Sequence, residues 1–125
     1  MNLALGRLAE RRGDGEEARK RYRESLKAAF GLKHRWRSTV ALEALARTLG
    51  EGDERKAVQI LGASERSREE LDTPILPRDH AAMKEARERL QKKLGTEGYH
   101  GAIVEGRSFS LDAAVERALA PGPWA

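Results

Sequence analysis

The sequence predicts an all-α domain of about seven helices, on three observations. Ala, Leu, Glu, Arg and Lys dominate the chain, and these are strong helix formers. Aromatic residues make up 5%, and β-branched residues are so few that no stretch reads as a strand. Apolar residues recur three and four positions apart in segments separated by glycine or proline, the period of a helix with one buried face. At 125 residues the chain is long enough for one domain with its own core and too short for two.

Each segment has its own justification. Residues 2–12 put Leu5, Leu8 and Ala9 on one side and Arg7 and Arg11 on another, and Gly13-Asp14-Gly15 stops them. From 16 to 30, Ala18, Tyr22, Leu26 and Ala29 stack on one face, opposite Arg19, Lys20, Arg23 and Lys27, and Gly31 ends the run. Over 34–49 the apolar side is Trp36, Val40, Leu42, Leu45 and Leu49, while Arg35, Thr39, Glu43 and Arg47 follow one another at four-residue intervals along a polar side. Gly50-Glu51-Gly52 punctuates, and Asp53 is suited to capping a helix over 53–71 that carries Ala57, Ile60 and Leu61. Asp72-Thr73-Pro74-Ile75-Leu76-Pro77 reads as a linker whose last proline fits the first turn of a helix over 77–94. That helix turns Met83, Ala86, Leu90 and Leu94 inward and stops at Gly95. Thr96 opens a shorter helix to about 105, broken by Gly106. Ser110 caps a last one over 110–120, ended by Pro121-Gly122-Pro123.

Charge and composition exclude several classes. Lys and Arg number 24 against 20 Asp and Glu, so the net charge is only +4 although 35% of residues are charged, and mean hydropathy is -0.69. No apolar run approaches the roughly 18 residues of a membrane span. There are no cysteines, which removes disulfides, thiol nucleophiles and thiolate metal sites. The first residues lack the basic stretch and apolar core of a secretory signal, which makes the cytoplasm the default location. The basic charge is concentrated at the front: residues 1–37 hold 11 Lys/Arg and 5 Asp/Glu, and residues 38–125 hold 13 and 15.

Two helix pairs share a plan, an Ala/Leu-rich helix, a Gly-Asp turn, then Ala four residues after the Asp and a large apolar residue four further on. Gly13-Asp14, Ala18 and Tyr22 fit it once, and Gly52-Asp53, Ala57 and Leu61 fit it again 39 residues later. The pattern resembles the tetratricopeptide repeat, with Leu5-Gly6 where that family has a leucine and a small residue. The second copy has Ala44-Leu45 there, and its period exceeds the family's 34. Downstream, Ala57-Val58-Gln59-Ile60-Leu61-Gly62-Ala63-Ser64-Glu65, Leu76-Pro77, Leu94-Gly95, Glu105-Gly106-Arg107 and Ser110-Leu111-Asp112-Ala113-Ala114-Val115 resemble the end of the helical-repeat region of bacterial ATPase-type (LuxR-type) transcriptional regulators. The likeness covers roughly residues 1–120 and departs from the family at Gly98, Gly101 and Ile103. It implies two tetratricopeptide-like pairs over 1–71, capping helices over 77–120 and a tail over 121–125. A phosphate-binding Gly-x-x-x-x-Gly-Lys signature is absent, and no helix-turn-helix follows Pro123. A piece of a longer regulator and a free-standing relative both fit.

Candidate chemistry is sparse. His34, His80 and His100 fall in different elements without metal-ligand spacing. Ser108 and Ser110 lack a nucleophile elbow. Glu16-Glu17, Asp53-Glu54 and Glu69-Glu70 are adjacent pairs that diverge on a helix. We therefore expect no enzyme, no metal and no cofactor. In tetratricopeptide arrays the first helix of each pair lines a concave groove, so the resemblance implies partner-binding residues Arg7, Arg11, Arg35, Thr39, Glu43 and Arg47; a solvated polar face is the alternative for the same residues. The leading expectation is a non-catalytic helical-repeat module of a bacterial transcriptional or signalling regulator. It would hold a protein, peptide or small effector in its groove and signal to neighbouring ATPase or helix-turn-helix domains. A basic nucleic-acid-binding protein using residues 7–37, around Arg19-Lys20-Arg21-Tyr22-Arg23, is the second reading. A structural cap or dimerisation element is the third. Leu3, Leu5 and Leu8, with no preceding repeat to cover them, predict either a homodimer through the first helix pair or concentration-dependent association.

Overall fold

Six α-helices build the protein: α1 (Asn2–Arg11), α2 (Gly15–Gly31), α3 (Arg35–Thr48), α4 (Glu54–Leu71), α5 (Pro77–Arg107) and α6 (Leu111–Leu119). This computed structural model describes residues 2–49 and 52–120, and among them there is no strand. The all-α class is therefore as expected. The Gly50-Glu51 part of the expected turn, Pro121-Gly122-Pro123 and the tail over 121–125 lie outside the described residues.

The count is six rather than seven because the expected stop at Gly95 is a reversal within α5. Gly95 takes φ 79°, ψ 164°, a backbone open chiefly to glycine. Glu65 shows how sharp the turn is. It accepts from Arg87 at 2.7 Å and from Arg107 at 3.3 Å, although twenty residues of straight helix would separate those arginines by about 30 Å. The two halves of α5 thus return to the same part of α4. Arg87 adds a bond to the Tyr99 hydroxyl at 3.0 Å, across the bend.

Successive helices pack as neighbours, α1 on α2, α2 on α3, α3 on α4 and α4 on α5, and α6 returns against α2, α3 and α4. Helix α4 is consequently enclosed, with every residue from Lys56 to Ser64 buried. A helix so surrounded cannot carry bulk on all sides. Its contact with the second half of α5 is made backbone to backbone: a Cβ on Gly62 would stand 2.4 Å from the Ile103 carbonyl oxygen, and one on Gly106 would stand 2.0 Å from that of Gln59. The helix ends at Arg107, one residue past the expected break at Gly106, and there the absence of a side chain also lets two helices touch. Gly6 has a similar role, since a Cβ there would meet the Tyr22 ring at 2.5 Å. Ala18 and Ala57, the small residues of the repeated plan, are fully buried.

The ends of the helices follow local chemistry, with one correction, at Asp53. Asp14 caps α2 through Glu17 N–H at 3.1 Å, and Ser110 caps α6 through Ala113 N–H at 3.2 Å. Asp53 makes no side-chain cap, and the Gly52 N–H instead donates to Glu54 at 2.7 Å. Helix α2 ends at Gly31 as expected, and Lys33 beyond it takes a left-handed backbone (φ 56°). Of the three leucines expected to lie bare on α1, Leu3 packs against the core, whereas Leu5 and Leu8 remain 36% and 39% exposed.

Glycines in α5 should divide sharply by what surrounds them. Gly106→Ala is expected to lower stability by about 1–3 kcal/mol through overpacking. Gly101 is exposed within the helix, with nothing within 4 Å of an added Cβ, so Gly101→Ala should raise stability by about 0.5–1 kcal/mol. Urea unfolding of the two variants would check this, with midpoints moving in opposite directions.

Candidate functional site

The polar stripe of α3 faces inward over half its length. Thr39 is fully buried, with its hydroxyl 2.9 Å from the Arg35 carbonyl and 2.8 Å from the Ser67 hydroxyl on α4. Glu43 accepts two bonds from Arg68 of α4, at 2.6 and 2.7 Å, with the two side chains only 5% and 9% exposed. Placing Thr39 and Glu43 on a partner-facing surface is therefore corrected. The interval of four is the same for a helix flanked by solvent or by another helix, and here α4 brings Ser67 and Arg68 to meet the stripe. Arg35 is exposed at the start of α3, away from the clefts described below.

Arg68 also fixes the linker. One of its guanidinium nitrogens donates to the carbonyls of Thr73 and Pro74, each at 3.0 Å, so a single buried side chain ties α3, α4 and the approach to α5. Asp72 supports the exit from α4 with a left-handed backbone (φ 54°). The linker is thereby held against α3, and its Leu76 forms a wall of the cleft that follows.

Three of the expected residues come together. Arg7 and Arg11 of α1, Arg47 of α3 and Arg78 in the first turn of α5 line a cleft with Glu10, Asp79 and Ala82. Arg47 donates to Glu10 at 3.3 Å, and its own carbonyl accepts from Arg89 of α5 at 3.1 Å. Arg7 lies 3.8 Å from Asp79, a loose ion pair that spans from α1 to α5. Beyond that pair opens a second cleft of about 510 Å³, sharing Arg7, Arg78 and Asp79 with the first. Its walls are mixed: Leu3 of α1, Ala28 and Ala29 of α2, Trp36 and Val40 of α3, and Leu76 supply apolar surface, and Asn2, Ser25 and Arg68 supply polar groups among them. Leu32 and Arg37 complete it beside Trp36, which is 36% exposed. The volume is in the range of ligand pockets, about 300–1,000 Å³.

The sequence reading assigned Trp36 to the core and did not select Leu32, Arg37, Leu76 or Arg78. The available signal was a tryptophan between two arginines at the very start of α3, where a helix has least cover.

The basic run of α2 is largely engaged within the chain. Arg19 donates to the Thr48 carbonyl at 2.5 Å, Arg21 to Glu17 at 2.9 Å, and Glu16, Glu17 and Glu24 lie among the cations of that face. The histidines are engaged locally too: His34 Nδ1 accepts from Arg37 N–H at 3.2 Å and His80 Nε2 lies 2.9 Å from the Ile75 carbonyl. Among the described residues no three His, Asp or Glu side chains converge in a way that could hold a metal ion. No helix among them is long and apolar enough to cross a membrane.

Comparison with protein-family models, with curated proteins and with solved structures returns no match for this chain.

One polar chain runs from the core to the first cleft. The buried Tyr22 hydroxyl donates to Glu10 at 2.6 Å, and Arg47 holds the same carboxylate. Burial, then the bond to Glu10 and its charge, push the Tyr22 phenol well above its ordinary pKa, against the smaller opposing effect of Arg47. Because the folded pKa exceeds the unfolded one, the neutral phenol's contribution is complete below pH about 10 and is lost progressively above it. Stability should accordingly fall as pH rises past that point, and less steeply in Tyr22→Phe. The difference between the two curves isolates the phenol from Lys56, whose pKa burial lowers and whose effect has the opposite sign. Removing one partner of the Arg68–Glu43 pair is a larger perturbation. Glu43→Ala should cost about 3–5 kcal/mol, measured by chemical denaturation, because it strands a buried guanidinium.

Proposed function

We propose that this protein is a non-catalytic helical-repeat interaction or effector-sensing module of a bacterial transcriptional or signalling regulator. In this reading its helix pairs are tetratricopeptide-like, and it acts in the cytoplasm through the neighbouring domains of such a regulator. One observation carries the binding role: the cleft of about 510 Å³, with apolar surface from Trp36, Val40, Leu32 and Leu76, polar Asn2 and Ser25, and arginines at its edge. Apolar walls with a few converging polar groups are the usual composition of a ligand site. The sequence resemblance supports the regulatory context, as does the consecutive packing of α1 to α5, in which each helix contacts the next.

The cleft is also placed where occupancy would be felt. Its walls come from α1, α2, α3, α4 through Arg68, the linker and the first turn of α5. A ligand bound there stabilises the arrangement of all six segments relative to any in which they separate, by an amount set by its concentration and affinity. Only the tie from Arg7 to Asp79 joins α1 to α5 in the described ion pairs, so this is the junction at which binding would act most directly.

A thermal-shift screen of small effectors and short peptides tests the reading. The expected result is a set of compounds that raise the midpoint of the natural sequence and have no effect on Ala28→Phe, in which a phenyl ring occupies the cleft. Hits that stabilise both proteins equally, or no hits at all, would remove the cleft from consideration as the recognition surface.

A further inference from the structure

The charges around the cleft are not balanced, and the imbalance specifies a ligand. Four guanidiniums line it, those of Arg7, Arg37, Arg68 and Arg78, and the one carboxylate in its wall is Asp79. Arg68 is neutralised by Glu43, and Arg7 is paired with Asp79. The side chains of Arg37 and Arg78 have no ion pair or side-chain hydrogen bond among the described residues. Both are exposed, one in the first turn of α3 next to Trp36 and the other in the first turn of α5, and both line the cleft. A cleft whose apolar surface comes from Leu3, Ala28, Ala29, Trp36, Val40 and Leu76, with Asn2 and Ser25 among them and two guanidiniums without an ion pair at its edge, is complementary to a molecule with an apolar body and a negative end. The size of the cleft suits one such molecule.

Building on the reading of the cleft as a recognition site, we infer that its ligand is a small organic anion with an apolar body, of the medium-chain carboxylate class. The body lies against Trp36, Val40 and Leu76. The acid group is held by Arg37 and Arg78, whose planar forks suit a carboxylate. A neutral apolar molecule would use the walls and leave both charges unanswered, and an inorganic anion would use the charges and leave the walls in water. Affinity for the intended class therefore exceeds that for either half alone.

Replacing Trp124 by Phe leaves Trp36 as the sole tryptophan, so its emission reports occupancy directly. In that protein decanoate and decyltrimethylammonium are titrated at low salt, each below the concentration at which it forms micelles, with acetate as the anion without a body. Decanoate is expected to saturate the signal and to bind about tenfold more tightly than the cationic amphiphile, the order expected of two partly exposed charge pairs. Acetate should not displace it at matched concentration. The double variant Arg37→Glu with Arg78→Glu should reverse the preference. If circular dichroism shows that the double variant is not folded, Arg78→Gln alone should weaken decanoate severalfold and leave the cationic amphiphile unchanged. Equal binding of the two amphiphiles, an unchanged order in the charge-reversed protein, or full displacement by acetate would overturn the inference. Should neutral compounds or peptides bind the cleft in the thermal screen while decanoate does not, the recognition site stands and its ligand class is wrong; absence of any cleft-dependent ligand removes both.

Discussion

The contact on which the rest of the structure depends is the one between α4 and the second half of α5, where Gly62 and Gly106 let one backbone lie against the other. It has no side-chain adjustment to absorb error, because the nearest atoms are main-chain oxygen, nitrogen and carbon. Its consequence is that α4 is buried from Lys56 to Ser64, and a helix buried on all sides serves as the common wall for everything around it. Helix α3 packs on one flank, α5 folds back on another, and α6 returns to close a third. The reversal at Gly95 is what allows a single stretch of chain to bring Arg87 and Arg107 to the same carboxylate.

From that wall outward, the order is maintained by arginines rather than by more apolar surface. Arg68 joins α4 to α3 and to the linker, Arg47 joins α3 to α1, Arg89 joins α5 to α3, and Arg107 joins α5 to both Glu65 and Glu69 of α4. Most of these pairs are partly exposed and individually weak. The buried one is different, since its two ions are satisfied by each other and by main-chain carbonyls, and loss of either member leaves an unpaired charge in the interior. A chain with 35% charged residues and few large apolar ones uses them for alignment between helices. The high charge content thus reflects internal connection as much as a solvated exterior.

The candidate site is a product of the same arrangement. Where the arginines find carboxylates across helices, they hold helices together; Arg37 and Arg78, which have no ion pair among the described residues, line the cleft with Trp36 and Leu76. Tyr22, Glu10 and Arg47 give the adjoining cleft a fixed floor, with a phenol kept neutral by its burial. Recognition, in the reading proposed above, would depend on charges left over from assembly rather than on a dedicated motif.

Local periodicity was enough to determine the class, the helical segments and the small residues at their crossings. Ala18, Tyr22 and Leu26 repeat at four-residue intervals in α2, and all three are fully buried, because one stripe of a two-sided helix has one place to go. The stop at Gly95 and the cap at Ser110 were legible for the same local reason. What a polar residue does on a buried helix was decided only in three dimensions. Thr39 and Glu43 are spaced like a solvent face, yet Ser67 and Arg68, 28 and 25 residues away, make them interior. Gly106 reads only as a helix end until Gln59 is seen against it, and Trp36 reads as core until it is seen exposed in the cleft. Spacing along a chain reports which residues share a face, whereas burial, pairing and leftover charge depend on which other face arrives opposite, and that is set by the closure of α5 and α6 around α4.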